Sequence, residues 1–534
     1  MHPLVIMLKF IILLSVLNLC CGYKILLVFP VPAESHLILG EGYVRHLINA
    51  GHEVTYVTPR PFKNASTNLR QIDISENIKY FRTESLLIFF LLVGLFNIKT
   101  IMYKEIDLQN PKLLIQGMDD FWKKSFKTEA MQKFLNDPKE QYDVVIAEWL
   151  YTELGAGVST VFKCPLIFAS SMDPHTAVLS LIHEPLNPAY TFDHMSVDYS
   201  FTFSQRIYQL WNALRNTYFK WYWTSHIKLK NEDFKDIFES ILTKRGLRVP
   251  HYDEVRYNVS LMLGNSDITT GDGIALPQNY KHIGGYHIKD VVEPLPKDMQ
   301  EIMDIAEHGV IYFSMGSNLK SAHIPNSVKK ELLQVFSELK QTVIWKLEET
   351  MPNVPKNVHI VPWAPQQSIL AHTNIVLFIT HGGLLSILET LRFGVPIIGI
   401  PFYADQYLNV NRAVAKGFAK RLDFDENAAK SLKIAINEIL HDPSYHQRAK
   451  DLSIVFSDRM VPPGKELVHW VEHVVKTGGA PHLRSAALHV SWYKKLYLDL
   501  ISIILLGIVG LIIVLRYILS TFSASIRISK KKVL

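Results

Sequence analysis

Short apolar runs alternate with longer amphipathic stretches along most of this chain. Tyr23–Phe29, Glu53–Thr58, Val144–Ala147, Leu166–Ala169, Val310–Phe313, Thr342–Trp345, Ile375–Thr380 and Ile397–Ile400 are rich in β-branched or large apolar residues. Most are bounded by Gly, Pro or Asp, and they predict strands. Segments of helical period lie between many of them, such as Leu39–Ala50, ended by Gly51, and Ser327–Leu339. This alternation predicts parallel, doubly wound α/β sheets. A break at Gly284-Gly285, followed by a polar stretch with Pro294 and Pro296, reads as the linker between two α/β domains.

The two ends carry different patterns. Met1–Gly22 has Lys9, an apolar stretch from Phe10 to Leu19, and a close on Cys20-Cys21-Gly22. This predicts a cleaved secretory signal peptide over 1–22, with an uncleaved anchor as the alternative. Leu500–Leu515 has no charge, and Leu496–Leu519 contains only Asp499 and Arg516, so a membrane span is expected over 498–519. Arg516, Arg527, Lys530, Lys531 and Lys532 follow, which puts the tail, 520–534, in the cytosol and the rest of the mature chain across the membrane. The sequons Asn64-Ala65-Ser66 and Asn258-Val259-Ser260 fit lumenal glycosylation, and Lys531-Lys532-Val533-Leu534 resembles a di-lysine retrieval signal. The expected location is a single-pass protein of the endoplasmic reticulum membrane, with its folded domains in the lumen.

Composition narrows the classes. The chain has 534 residues, too many for one core, and 48% are apolar, so it is not a disordered chain. A net charge of +6 without a basic, aromatic-interleaved stripe argues against nucleic acid as a partner. Once the signal is cut only Cys164 remains, so no internal disulfide is expected. The 22 histidines form no recognisable metal-ligand pattern, and no metal is expected.

Familiar phosphate motifs are absent: there is no GxxxxGK, and "GEGYVR" from Gly40 has Arg45 where a dinucleotide fingerprint needs its third glycine. The segment Trp363–Gln406 is more informative. The strand Ile375–Thr380 delivers His381-Gly382-Gly383 to its carboxyl end, where a helix opening near Leu384 aims N–H groups and a positive dipole at a ligand. Ser386 and Glu389 share a helical face. A second strand, Val395–Ile400, presents Asp405-Gln406 at the same edge, and Trp363 with Gln366 pairs an aromatic plate with an amide, as a planar base would need. His36, just past the first strand and read as lying in a loop, is a candidate proton acceptor.

In this order the segment resembles the signature of UDP-glycosyltransferases, in the membrane-bound UDP-glucuronosyltransferase-like branch and most like its insect members. The similarity also takes in the His36 region, Tyr142–Glu148, Val310–Ser317 and His482–Ala487. It implies a GT-B fold: two Rossmann-like domains facing a cleft, with acceptor on the first (23–285) and UDP-sugar on the second (286–490). By this resemblance Trp363 stacks on uracil, Gln366 bonds the nucleoside and Glu389 takes the ribose hydroxyls. His381, Gly383 and Ser386, with Gly316 and Ser317, hold the diphosphate, and Asp405 and Gln406 the sugar. His36 acts as general base. Its orienting carboxylate is an aspartate in the family but Glu148 here, with Glu34 as a local competitor.

The implied activity is inverting transfer of a hexose from UDP-sugar to a hydroxyl of small lipophilic acceptors such as phenols, a detoxification chemistry that needs no cofactor beyond the donor. Two departures bear on it. Leu385 replaces an asparagine of many signatures, and Gly264 stands where vertebrate glucuronosyltransferases commonly have arginine. The second favours UDP-glucose over UDP-glucuronate, since an arginine fork suits a carboxylate. Glucuronosyl transfer, a ceramide-type lipid acceptor and a catalytically silent binding relative remain the alternatives, and homo-oligomerisation stays open. The apolar stretch Leu86–Phe96 and the aromatic run Tyr218–Trp223 allow a lipophilic acceptor without naming one.

Overall fold

The computed structural model describes residues 22–63, 66–83, 111–183, 191, 202–225, 227–317, 321–425 and 427–532. The signal segment, Asn64 and Leu86–Phe96 lie outside the described residues. The chain forms two compact units, one ending at Arg484 and one beginning at Ser485.

The first unit contains two parallel sheets. One is built from β1 (Lys24–Val28), β2 (Glu53–Thr58), β3 (Leu69–Asp73), β4 (Val144–Trp149), β5 (Leu166–Ser170), β6 (Val259–Gly264) and β7 (Tyr280–His282), in the order β3-β2-β1-β4-β5-β6-β7. The other is built from β8 (Val310–Ser314), β9 (Thr342–Lys346), β10 (Val358–Val361), β11 (Ile375–Thr380), β12 (Ile397–Gly399) and β13 (Ala419–Arg421), in the order β10-β9-β8-β11-β12-β13. Each order reverses once, between β1 and β4 and between β8 and β11. The carboxyl ends of strands at such a reversal are where doubly wound sheets leave a crevice for ligands.

Burial on both faces explains the continuous apolar runs. Leu26, Val28, Val145, Ala147 and Phe168 enter one core, while Ile25, Leu27, Val144, Ile146 and Ile167 enter the core on the opposite face. The second sheet divides likewise, with Ile311, Phe313, Leu377 and Ile379 on one side and Val310, Tyr312, Phe378 and Ile397 on the other. The eight predicted strands all form, within a residue or two of their expected ends.

Two features depart from expectation. Residues 286–490 do not make one continuous body: after the helices Ala428–His441 and Pro443–Ser457 cover the second sheet, the helix Pro463–Lys476 returns to the first. There Leu467, Val471 and Val474 pack in the core with Ile25 and Val144. Also, His36 is not in a loop. Pro30 and Pro32 end β1, Ala33 caps, and the helix Glu34–Asn49 begins at once, placing His36 in its first turn.

In the second unit the helix Leu498–Lys532 contains the 26-residue stretch Leu498–Ser523, whose most apolar 18-residue window has a mean hydropathy of 3.0. It is long and apolar enough to cross a membrane and extends past the expected 498–519.

Candidate active site

The first group of residues gathers at the reversal between β1 and β4. The start of the Glu34–Asn49 helix brings His36 over the end of β4, where its Nδ1 meets Oε1 of Glu148. The Glu148 side chain is 1% exposed and that of His36 15%, so the pair is held out of bulk water with one imidazole edge still accessible. An imidazole bound through Nδ1 to a carboxylate has its tautomer fixed, with Nε2 left to accept a proton. Glu34 is not a competitor for this role, because both its oxygens are taken by Arg60 at 2.6 and 2.8 Å.

The second group gathers at the reversal between β8 and β11. Gly316, at φ +79°, follows β8, and Gly382, at φ +81°, follows β11; both angles favour glycine. The His381 ring sits between Gly316 and Gly383. A Cβ at residue 316 would lie 2.5 Å from the ring, and one at residue 383 would lie 2.7 Å from its Nε2. Burial, with the charge of Lys346 adding to it, lowers the His381 pKa to about 4, so the ring is neutral near pH 7. Ser317 follows Gly316 at partial exposure. Gly383 is the N-cap of the helix Leu384–Phe393, whose start carries no side-chain cap, leaving N–H groups and the positive dipole end for an anion.

Beside this helix the expected nucleoside contacts are organised among themselves. Gln366 Nε2 donates to Ser386 Oγ at 3.0 Å and to Glu389 Oε2 at 2.6 Å, and Gln367 Nε2 donates to Glu389 Oε1 at 3.1 Å. The Ser386 hydroxyl accepts here and keeps its proton to donate. Trp363 presents an indole that is 57% exposed, an unusual state for so large a ring, with Lys346 Nζ 5.6 Å from its centre. Lys346 also donates to the Gly316 carbonyl at 3.0 Å and to Glu348 at 2.7 Å.

Asp405 links the two groups. It caps the helix Gln406–Ala415, and burial raises its pKa while the Asn409 hydrogen bond and the nearby His36 pull it down. Asn409 Nδ2 donates to Asp405 Oδ2 at 2.9 Å and to the Gly382 carbonyl at 3.1 Å. Gln406 Oε1 accepts from the N–H groups of Phe402 and Tyr403 at 2.9 and 3.3 Å, so its carbonyl shapes the loop rather than facing a sugar.

Sequence reasoning missed Lys346, Asn409 and Arg412. The helical spacing of Asp405, Asn409 and Arg412 was the available signal. Gly264 needs a different reading from the one the sequence suggested. A Cβ there would lie 1.8 Å from the Tyr280 hydroxyl, so glycine at this position answers to packing and carries no information on the donor. Asn258 is exposed, whereas Ser260 of the same sequon is fully buried in β6. The aromatic run Tyr218–Trp223 lies in the helix Phe203–Ser225.

Two parallel, doubly wound sheets, each with one reversal of strand order, make the GT-B fold. Solved structures of that fold match: the calicheamicin glycosyltransferase CalG4 at TM-score 0.53 and the glycotransferase of kitacinnamycin at 0.52, each over 85% of this chain and 99% of that one, at 15% and 17% identity. The profile of the UDP-glucoronosyl and UDP-glucosyl transferase family matches residues 24–532, and the chain belongs to that family. It is 32% identical to UDP-glucosyltransferase 2 of Dactylopius coccus over 96% of this chain and 95% of that protein. It is 30% identical to UDP-glucuronosyltransferase 2B1 of Rattus norvegicus over 73% and 72%. It is 35% identical to the rat 2-hydroxyacylsphingosine 1-beta-galactosyltransferase over 45% and 44%.

Proposed function

We propose that this UDP-glycosyltransferase moves a neutral hexose, glucose in preference, from UDP-sugar to a hydroxyl of a small lipophilic acceptor such as a phenol. The observation that carries the reading is the His36–Glu148 pair, with Asp405 of the opposite sheet near the same imidazole. His36 Nε2 takes the acceptor proton as the oxygen attacks the sugar C1, and Glu148 stabilises the imidazolium that forms. The C1–O bond to UDP breaks on the opposite face, so the anomeric centre inverts. The departing diphosphate carries the bond's electrons to the uncapped helix start at Gly383 and the Ser386 hydroxyl.

The same residues take the binding roles. Trp363 stacks on uracil, Glu389 and the Gln366 amide meet the nucleoside, and Asp405 accepts from sugar hydroxyls. Charge favours a neutral sugar. Glu148 and Asp405 bring two carboxylates to the His36 side of the cleft, while Lys346 and Arg412 are already engaged by Glu348 and by Asp173 and Asp272. A glucuronate carboxylate would meet repulsion there without a committed cation. The anchor helix, the N-terminal signal and the di-lysine tail support a lumenal, endoplasmic reticulum setting.

The test is a donor screen on membranes carrying the chain. UDP-glucose, UDP-galactose and UDP-glucuronate are each offered with a pool of phenols and flavonoids, and products are read by mass. Hexosyl products are expected, with UDP-glucuronate the poorest donor. No turnover with any donor overturns the enzymatic reading, and preferred glucuronyl transfer overturns the charge argument.

A further inference from the structure

The helix Gln406–Ala415 carries more than its sugar-facing end. Asp405, Asn409 and Arg412 fall at intervals of four and three, so they line one face. Asn409 ties the first turn to the Gly382 carbonyl of the diphosphate loop. One turn on, the Arg412 guanidinium reaches the other sheet. Its Nη1 donates to Asp173 Oδ2 at 2.7 Å, its Nη2 to Asp272 Oδ2 at 2.5 Å, and its Nε lies 3.2 Å from both Asp272 oxygens. Asp173 follows β5 and Asp272 follows β6, both past the carboxyl edge of the first sheet. Arg412 and Asp173 are each 7% exposed.

We propose that Arg412 is a positioning residue, a latch between the two sheets that sets where the donor sugar stands relative to His36. The inference rests on the glycosyl-transfer reading above. A guanidinium is expensive to bury, and its planar fork is the group suited to bridging two carboxylates in fixed geometry. It is placed on the one helix whose start carries Asp405. The nucleotide is held elsewhere, by Trp363 and the Gly383 helix, so UDP alone does not depend on the latch. Transfer does, because the sugar C1 must meet an acceptor oxygen activated from the opposite sheet, and a displacement of about 1 Å costs on the order of 100-fold.

A second ion pair serves as an internal control. Arg459, just past the helix Pro443–Ser457, pairs with Asp267 and donates to the Gly284 carbonyl at 3.0 Å. It too joins the two sheets, but not through the helix that carries Asp405.

The experiment uses the full chain in detergent, with folding checked by thermal melt. Arg412→Gln is expected to lower kcat for transfer by about 100-fold and to raise the KM for UDP-sugar, while the Kd for UDP stays at the wild-type value. Hydrolysis of UDP-sugar by water should rise relative to transfer, because a displaced sugar C1 no longer meets the acceptor oxygen while water still reaches it. Arg459→Gln should lower the melting temperature and leave that ratio unchanged. Asp272→Asn, a milder isosteric change, serves if Arg412→Gln does not fold, and the Arg412→Gln/Asp272→Asn pair should lose no more than Arg412→Gln alone. Wild-type transfer per folded molecule in both Arg412→Gln and Asp272→Asn overturns the latch, as does an equal loss of UDP binding. Absence of turnover in the wild-type chain sinks instead the reading on which the latch rests.

Discussion

The His36 ring sits at a helix start, and the carboxylate that holds it comes from the end of a strand more than a hundred positions along the chain. In the proposed transfer this pair offers Nε2 as a base and steadies the imidazolium. His36→Ala is therefore expected to lower transfer by about 100- to 10,000-fold with UDP affinity unchanged, measured by turnover and by calorimetric titration of UDP. Glu148→Gln should come close to that loss, since an amide cannot balance the imidazolium. Glu148→Asp, one methylene short of His36 Nδ1, should fall between. Asp173 gives a pH prediction. Burial and the carboxylates of Asp405, Asp272 and Asp267 outweigh Arg412 and raise its pKa from 3.8 to about 6. Between those values the folded chain holds a proton that the unfolded chain has released, so this group's contribution to stability is lost as pH rises through the window. Asp173→Asn removes the dependence. Its melting temperature should gain on wild type as pH climbs from 3.8 to about 6, and a constant difference would refute the assignment.

At the level of elements, the glycine cradle and the Trp363 plate make separable demands. Gly383→Ala drives a Cβ toward His381, whose ring has nowhere to move against Gly316, so UDP-sugar affinity should fall while the fold survives. Trp363→Ala removes an exposed surface and should leave the melting temperature alone, but cost about 1–3 kcal/mol of UDP binding, read by titration. These elements were legible in the sequence because interior parallel strands and glycine turns leave strong local marks. The strands with a weak sequence signal follow a physical rule. β3, β7, β10 and β13 are the four sheet edges, short and partly exposed, and runs such as Leu69–Asp73 and Ala419–Arg421 carry little apolar signal. β6 is interior and apolar, and its final residue, Gly264, answers to the packing of Tyr280 rather than to a ligand. The Glu34–Asn49 helix starts earlier than its apolar periodicity, since its first turn carries the polar residues Glu34, Ser35 and His36 and its buried face begins at Leu37. The return of the helix Pro463–Lys476 to the first sheet was hidden for another reason: an amphipathic period says that a face is buried, not against which sheet.

For the whole molecule, the decisive contrast is between a first unit that buries its apolar cores and a terminal helix whose apolar side chains are exposed. Along Leu498–Ser523 no residue of the apolar window is buried, and single residues such as Leu506 are 71% exposed. An exposed apolar surface of that extent fits a membrane anchor. The sheets, the His36–Glu148 pair and the donor cradle all precede Arg484, the end of the first unit. A chain stopped after Arg484 is therefore expected to keep its melting transition and its UDP affinity. The full chain should sediment with membranes and stay there through alkaline carbonate, whereas the shortened chain should wash free in carbonate or high salt. Loss of UDP binding on truncation would mean that the terminal unit supports the fold. Retention on membranes after truncation would shift attention to the helix Phe203–Ser225. Phe203, Ile207, Leu210, Trp211 and Leu214 of that helix are exposed while Gln209 and Asn212 are buried, a reversed face that a bilayer surface would accommodate. The two outcomes are separated by one further variant, Trp211→Glu in the shortened chain, which releases the protein if that face is the contact and changes nothing if it is not.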